Sequence, residues 1–497
     1  MIKRNLNRIA LILVFIRIFD AKSQSNSHWH FSIEEQTTFA AAGRLPFWFR
    51  ANQYGSIPPA GVSAGTIGSI YRDYDTTKSH SWNWSVGMQA RVNVGIKSNI
   101  TLIEAFIKAK KGIFEFSGGR TRDVSGIADT ALSSGSFAIS GNALGIPKLT
   151  IAIPDYYSLP IFNKLIAIKG NYSLGYLGSV DVASTTSVNR FTQYYQQNSF
   201  YGRIGREDWK LKLFGGINHQ VMYGNERAIF GPQYMLNNLQ ATIYAAIGKT
   251  YHPPNIQYDY HLGGKVGNHV GSIDIGGQYD FTNINVMFYH QFIYDVGAIG
   301  HFANLNDGVS GISIKNKLKN RNKIKWSKLL VEFVATKDQA GGPNSRSLSG
   351  DEDYYNDFEF TNGWSYYGVN LGNPLLASRM YTRNNLLNYA ADYVIDNRIL
   401  ALNTGFKGAV NNIAITMKLT FSKNYGTYAT SMYGHTTGVR HYASVGVFGD
   451  VNQFSGYVEG SKKFSDEFCV GVAVAYDNDG LYYNSPGLQL KLKKSFN

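Results

Sequence analysis

Cations recur at every second position in one short stretch: Lys315, Lys317, Lys319, Arg321, Lys323 and Lys325, with Lys328 beyond them and no acid between. Period-two spacing sets side chains on one face of an extended chain. Two strands joined near Asn320-Arg321-Asn322 would therefore carry a row of positive charge, an electrostatic track for an acidic polymer. The commoner arrangement, weighted above it, is a hairpin whose cations face a wet lumen or lipid phosphates. A second group lies in the polar insertion 341–388: Tyr354, Tyr355, Asn356, Trp364, Tyr366 and Tyr367. Aromatic faces pack on sugar C–H surfaces and planar polar groups give paired hydrogen bonds, so these six are candidate glycan contacts. Interface girdles also consume Tyr and Trp, and that use competes with the first.

Catalytic constellations are thin. Asn268, His269 and Ser272 suggest a hydrolase, but His269 and Ser272 differ in parity and would face opposite sides of a strand. A Ser–His nucleophile needs hydrogen-bond reach and an orienting acid. His28 and His30 form a His-x-His pair with no third ligand for a metal. There is no P-loop or dinucleotide fingerprint. The expectation is a protein without catalytic role, metal or cofactor, and without nucleic acid as partner.

The elements that must position these residues are long alternating strands. From Trp82 to Ile96, the residues Trp82, Trp84, Val86, Met88, Val92 and Val94 share one parity, and Asn83, Ser85, Gln89, Arg91 and Asn93 the other. Such a strand separates two media, and its length suits a tilted membrane crossing. The pattern recurs at 284–292, 413–422 and 468–476, and in the closing run Leu488, Leu490 and Leu492 to Phe496. Asp477-Asn478-Asp479-Gly480 reads as a turn between two runs. A closed barrel is the sheet that satisfies its backbone in lipid. Gln233 to Gly248 changes to helical spacing through Leu236, Leu239 and Ile243, and is expected to cap or plug a barrel mouth.

Of 497 residues, 52 are Gly, 34 Tyr and 29 Phe, while charged residues make up only 16%. The N-terminus has a basic Lys3-Arg4 and Arg8, an apolar run from Ile9 to Phe19, and Ala21-Lys22-Ser23 as a cleavage site. This segment carries five cations against Asp20, +4 of the formal +14. The domain expectation is a signal peptide over 1–23, a periplasmic or luminal lead-in over 24–70, and the barrel over 71–497. Cys469 reads as a small strand residue.

Several ordered stretches resemble the capsule assembly Wzi family of outer-membrane proteins. They are LPFWFRANQYG (45–55), FSGGRTRDVSGIADTALSSGSFAISGNALGIPKLTIAIPDYYSLP (116–160), FGGINHQVMYG (214–224), KVGNHVGSIDIG (265–276), YNDFEFTNGWSYYGVNLGNPLL (355–376) and KNYGTY (423–428). The resemblance implies an all-β fold, a transmembrane antiparallel barrel of about 18 strands, with small helices near the periplasmic side. It implies a surface lectin for capsular or exopolysaccharide, exported to the outer membrane, with its lipids and lipopolysaccharide as neighbours. A monomer is expected. The alternative is a porin, a diffusion channel for small solutes.

Overall fold

The computed structural model describes residues 28–496, apart from 76, 78–80, 97, 184–189, 255–263, 296–297, 319–322, 341–351, 358 and 432–445. The expected signal peptide over 1–23 lies outside these residues, as do Lys319 and Arg321.

Eighteen strands form one antiparallel sheet that closes on itself. The first nine are β1 (Trp29–Arg44), β2 (Ala60–Arg72), β3 (Asn83–Gly95), β4 (Asn99–Lys111), β5 (Phe114–Arg120), β6 (Lys148–Ser158), β7 (Ile166–Asp181), β8 (Arg190–Ile204) and β9 (Leu211–Tyr223). The second nine are β10 (Asn268–Asp280), β11 (Ile284–Tyr294), β12 (Gly308–Asn316), β13 (Ile324–Ala335), β14 (Ile399–Val410), β15 (Ile413–Asn424), β16 (Val451–Lys463), β17 (Phe468–Asp479) and β18 (Ser485–Phe496). Each pairs with its chain neighbours, and β1 meets β18 in a register running from Phe31 opposite Phe496 to Ala40 opposite Gly487.

The alternation in β3 is realised in space. Trp84, Met88, Val92 and Val94 point outward, and Val94 is 50% exposed, whereas Arg91 points inward and is 1% exposed. Apolar groups outside and hydrated groups inside invert the arrangement of a water-soluble domain and match a barrel wall built for lipid. Trp82, Trp84, Phe114 and Phe116 give the outer face an aromatic band near the chain termini, and Tyr176 and Tyr194 give it another near the opposite end.

The barrel begins earlier than the sequence suggests. Within the stretch 24–70 expected as a lead-in, residues 29–44 and 60–70 belong to the first two wall strands, β1 and β2. Their alternation is obscured because the outward parity holds Glu35 opposite Thr66 and Thr37 opposite Ala64, polar or small residues where a lipid-facing strand is usually apolar. Glu35 accepts a hydrogen bond from Thr66 Oγ1 at 2.9 Å. Pro154 interrupts the ladder, with a register shift between Ile153 and Tyr157. The 477–480 turn falls late: β17 runs through Asp479 and the chain reverses over 480–484.

Connections differ sharply at the two ends. Beside the chain termini they are short, as at 112–113, 281–283 and 411–412; Asn411 and Asn412 both have positive φ (48° and 66°), the geometry of a tight two-residue hairpin. At the opposite end lie 121–147, 224–267, 336–398 and 425–450. Among the described residues, all three α-helices sit in connections of that long-loop end: α1 (Phe47–Arg50), α2 (Glu226–Phe230) and α3 (Asn238–Ala246). If the short turns are periplasmic, the helices lie opposite the side that the family resemblance implied. The helix expected within 233–248 is α3, capped by Asn237 and Gln240, which exchange backbone hydrogen bonds at 2.9 and 3.0 Å.

Candidate functional site

The lumen is filled by two of the long connections. The first, 121–147, is held by inward side chains of the wall. Glu332 on β13 accepts from the Ser133 hydroxyl at 2.6 Å, the Ser134 backbone N–H at 2.8 Å and the Tyr289 hydroxyl at 2.6 Å. Asp274 on β10 accepts from the Ile127 N–H at 2.8 Å and the Tyr201 hydroxyl at 3.1 Å. Asp129 of the plug accepts from Ser313 at 2.6 Å and pairs with Lys328 at 2.8 Å. These contacts explain why the inward parity of the strands is polar: it supplies partners for irregular backbone that could not survive in lipid.

The second connection, 336–398, packs on the first. Trp364 Nε1 donates to Ala138 O at 2.8 Å, Asn373 Nδ2 to Gly135 O at 2.6 Å, and the Tyr355 hydroxyl to Phe137 O. The Phe137 ring lies 5.1 Å from Tyr354 and 4.8 Å from Tyr355. Tyr354 also donates to Asp307 at 3.0 Å, and burial pushes the Asp307 carboxyl up to about 7 despite donors from Asp338, Gln339 and Tyr354. Asp392, buried and near Asp353, is pushed up to about 8.

This packing corrects the glycan-contact expectation. Tyr354, Tyr355 and Trp364 are wholly buried and form the core of the plug. Asn356 closes a loop with Val394, accepting from its N–H at 2.8 Å and donating to its carbonyl at 2.9 Å. Tyr366 is buried against Arg120, which donates to its hydroxyl at 3.3 Å. Tyr367 alone among the six is open, 74% exposed, with its ring 4.5 Å from Tyr366. Nothing in the composition of this polar insertion separates a luminal plug from an external loop.

The basic ladder also moves. The hairpin joining β12 and β13 lies at the short-turn end. Lys315 and Lys325 point to the lumen side of the wall, opposite Asn285 and Ala409 respectively. Lys317 donates to Asp280 at 2.8 Å, and Lys323 is exposed in the turn. A continuous one-faced track is therefore not formed by the described members. The luminal hairpin weighed against it fits the strand members.

Polar cavities remain between plug and wall among the described residues. One, of about 360 Å³, is lined by Trp48, Asp129, Lys407, Lys418, Tyr457 and Glu459 among others. Another, of about 470 Å³, includes Tyr71, Glu104, Lys108, Glu115, Arg122 and Lys148. Lys418 sits 4.3 Å from the Trp48 ring centroid, a cation–aromatic pair that spacing in the sequence does not signal. His269 and Ser272 fall on opposite faces of β10, as their parity predicts: Ser272 pairs in register with luminal Asn218, while His269 is outward beside His219. His30 lies 3.1 Å from Asp73. No group of three or more His, Cys, Asp or Glu residues suited to a metal occurs among the described residues.

Against solved structures, the fold is similar to that of Wzi from Escherichia coli, described as an outer membrane protein involved in group 1 capsule assembly and a carbohydrate binding β-barrel. The TM-score is 0.54 at 13% identity, covering 99% of this chain and 88% of that one. Lower similarity is found to OccAB2 of Acinetobacter baumannii (TM-score 0.44, 8% identity, 94% and 98% covered) and to the outer membrane protein OprD of Pseudomonas aeruginosa (0.42, 7%, 95% and 94%). No family model and no curated protein matches the chain. At 13% identity the likeness to Wzi is one of fold: a closed antiparallel barrel of outer-membrane type.

Proposed function

We propose that this chain stands in the outer membrane with its long-loop end outward and holds capsular or exopolysaccharide at the cell surface by non-covalent binding. The observation that carries this reading is the plug. A lumen occupied by two connections, each tied to wall or neighbour by buried hydrogen bonds, suits a barrel that presents a surface better than one that conducts. The apolar outer wall supports the membrane setting, and the fold likeness to a carbohydrate-binding barrel supports the ligand class. Binding proceeds as a monomer through many weak contacts to repeating sugars, which add through effective concentration, so no reaction step is involved. Outer-membrane lipids, lipopolysaccharide included, surround the wall. Export uses the N-terminal signal.

The test is deletion of the gene followed by separate measurement of cell-bound and released polysaccharide. The expected result is a shift towards release at unchanged total synthesis; unchanged partition rejects the tether. The residual polar cavities of about 360 and 470 Å³ favour a second reading, a diffusion channel. Planar-bilayer current separates the two: near-silence fits the tether, and steady open-channel steps fit the channel.

A further inference from the structure

Helix α3 is built inside out. Towards the barrel it turns Ala245 and towards Tyr234 and Val266 of its own connection Ala241, both buried, whereas Leu239, Ile243 and Ile247 form a stripe with one residue per turn on the side away from the wall. Leu239 is 70% and Ile247 67% exposed, and Met235 before the helix is also exposed. A helix on a water-washed surface does the reverse, burying its large apolar residues.

The surface beneath α3 is the outside of the wall. Along β9 the outward residues Leu211, Leu213 and Ile217 are exposed, and the next outward ones, His219, Val221 and Tyr223, are covered. Val221 and Tyr223 pack with Ala245. The Tyr223 hydroxyl is 3.2 Å from Thr242 Oγ1, His219 Nε2 is 3.3 Å from Ala245 O, and Asn198 Nδ2 donates to Ala246 O at 2.9 Å. The helix therefore does not cap a mouth, as its sequence suggested. It lies on the flank of the barrel and shields a polar patch of the outward face. Small residues at its contact let it approach the strands closely.

We propose that α3 is an interfacial membrane helix whose Leu239–Ile243–Ile247 stripe is seated among the acyl chains of the leaflet on the long-loop side. The occupant follows from continuity. Ile217, Phe200 and Ile273, the exposed outward residues directly below the covered ones, belong to the apolar belt, and the stripe extends that belt over the patch. The height also fits, because the Tyr194 ring lies 6.2 Å from that of Tyr223 within the aromatic band that marks the membrane surface. Lys249, exposed just past the helix with Nζ 4.6 Å from the Tyr244 ring, supplies a cation at headgroup level. The inference rests on the barrel standing in a bilayer.

The experiment uses the full chain with Cys469→Ser, reconstituted in dioleoylphosphatidylcholine–dioleoylphosphatidylglycerol vesicles. Spin labels are placed singly through Ile243→Cys, Ile247→Cys, Gln240→Cys and, as a belt control, Ile217→Cys. Labels at 243, 247 and 217 are expected to collide more with oxygen than with a water-soluble nickel chelate, and the label at 240 less so than these. Water-like behaviour at 243 and 247 with a lipid-like 217 overturns the helix inference alone; water-like behaviour at 217 overturns the membrane reading with it. Dipolar broadening at 243 between copies would make a second chain the occupant and also overturns the proposal. On the unmodified protein, a lipid-borne carbene photolabel should mark the 235–247 segment, and its absence there counts against the proposal even if the cysteine variants do not fold.

Discussion

Glu332 concentrates the attachment of the plug in one carboxylate, since four donors converge on it: the Ser133 hydroxyl and the Ser134 N–H and hydroxyl from the plug, and the Tyr289 hydroxyl from β11. Glu332→Ala strands those donors, at about 1–3 kcal/mol for each left unsatisfied; a lower midpoint in denaturant unfolding and new current steps in planar bilayers are expected. Trp364 and Tyr367 sit close in sequence and do different work. Trp364→Ala should cost about 3–5 kcal/mol of stability through a cavity in the plug core. Tyr367→Ala should leave the melting temperature unchanged and lower cell-bound polysaccharide. The plug also carries a pH dependence. Asp307 and Asp392 have folded-state values of about 7 and about 8, above those of an unfolded chain. The folded state thus holds protons that the unfolded one has released, and stability is expected to fall as pH rises from about 4 to about 8. Asp307→Asn should flatten its share of that slope in a pH series of unfolding midpoints.

Strands carry their own instructions, and most could be read before any coordinates. The outward set in β3 was legible because a period of two with apolar residues on one parity has few other physical solutions. A charge on that set is costly in proportion to depth: Val92→Arg should destabilise the folded barrel by about 2–4 kcal/mol if Val92 lies near the midplane, measured by reversible unfolding in vesicles, while a change at lumen-facing Lys315 should matter far less. Where the signal failed, the cause is local. In β1 and β2, Glu35, Thr37, Ala64 and Gly68 dilute the outward parity. In the plug, Trp364 and Tyr355 look like surface-loop aromatics because burial there depends on contacts with 121–147, more than two hundred positions away. The helical spacing of α3 was visible, but not the side of the wall on which it lies, because its large residues face away from the body of the protein.

At the scale of the whole chain, closure joins segments from its two extremes. Phe31 lies opposite Phe496, so the barrel is complete only when the last strand is in place. That seam is not chemically privileged: β1 and β18 pair in the same antiparallel manner as the other neighbours in the wall. A ring has no intrinsic beginning, and the order of strands along the polypeptide is a fact about synthesis more than about the finished wall. Linking residues near 28 and 496 by a short flexible tether and reopening the backbone between Asn411 and Asn412 should give a circular permutant with the same sheet. The measurement is the amide exchange pattern and the heat-dependent shift of gel mobility, both expected to match the parent. A permutant that fails would mean that the native starting strand serves as a template for the rest.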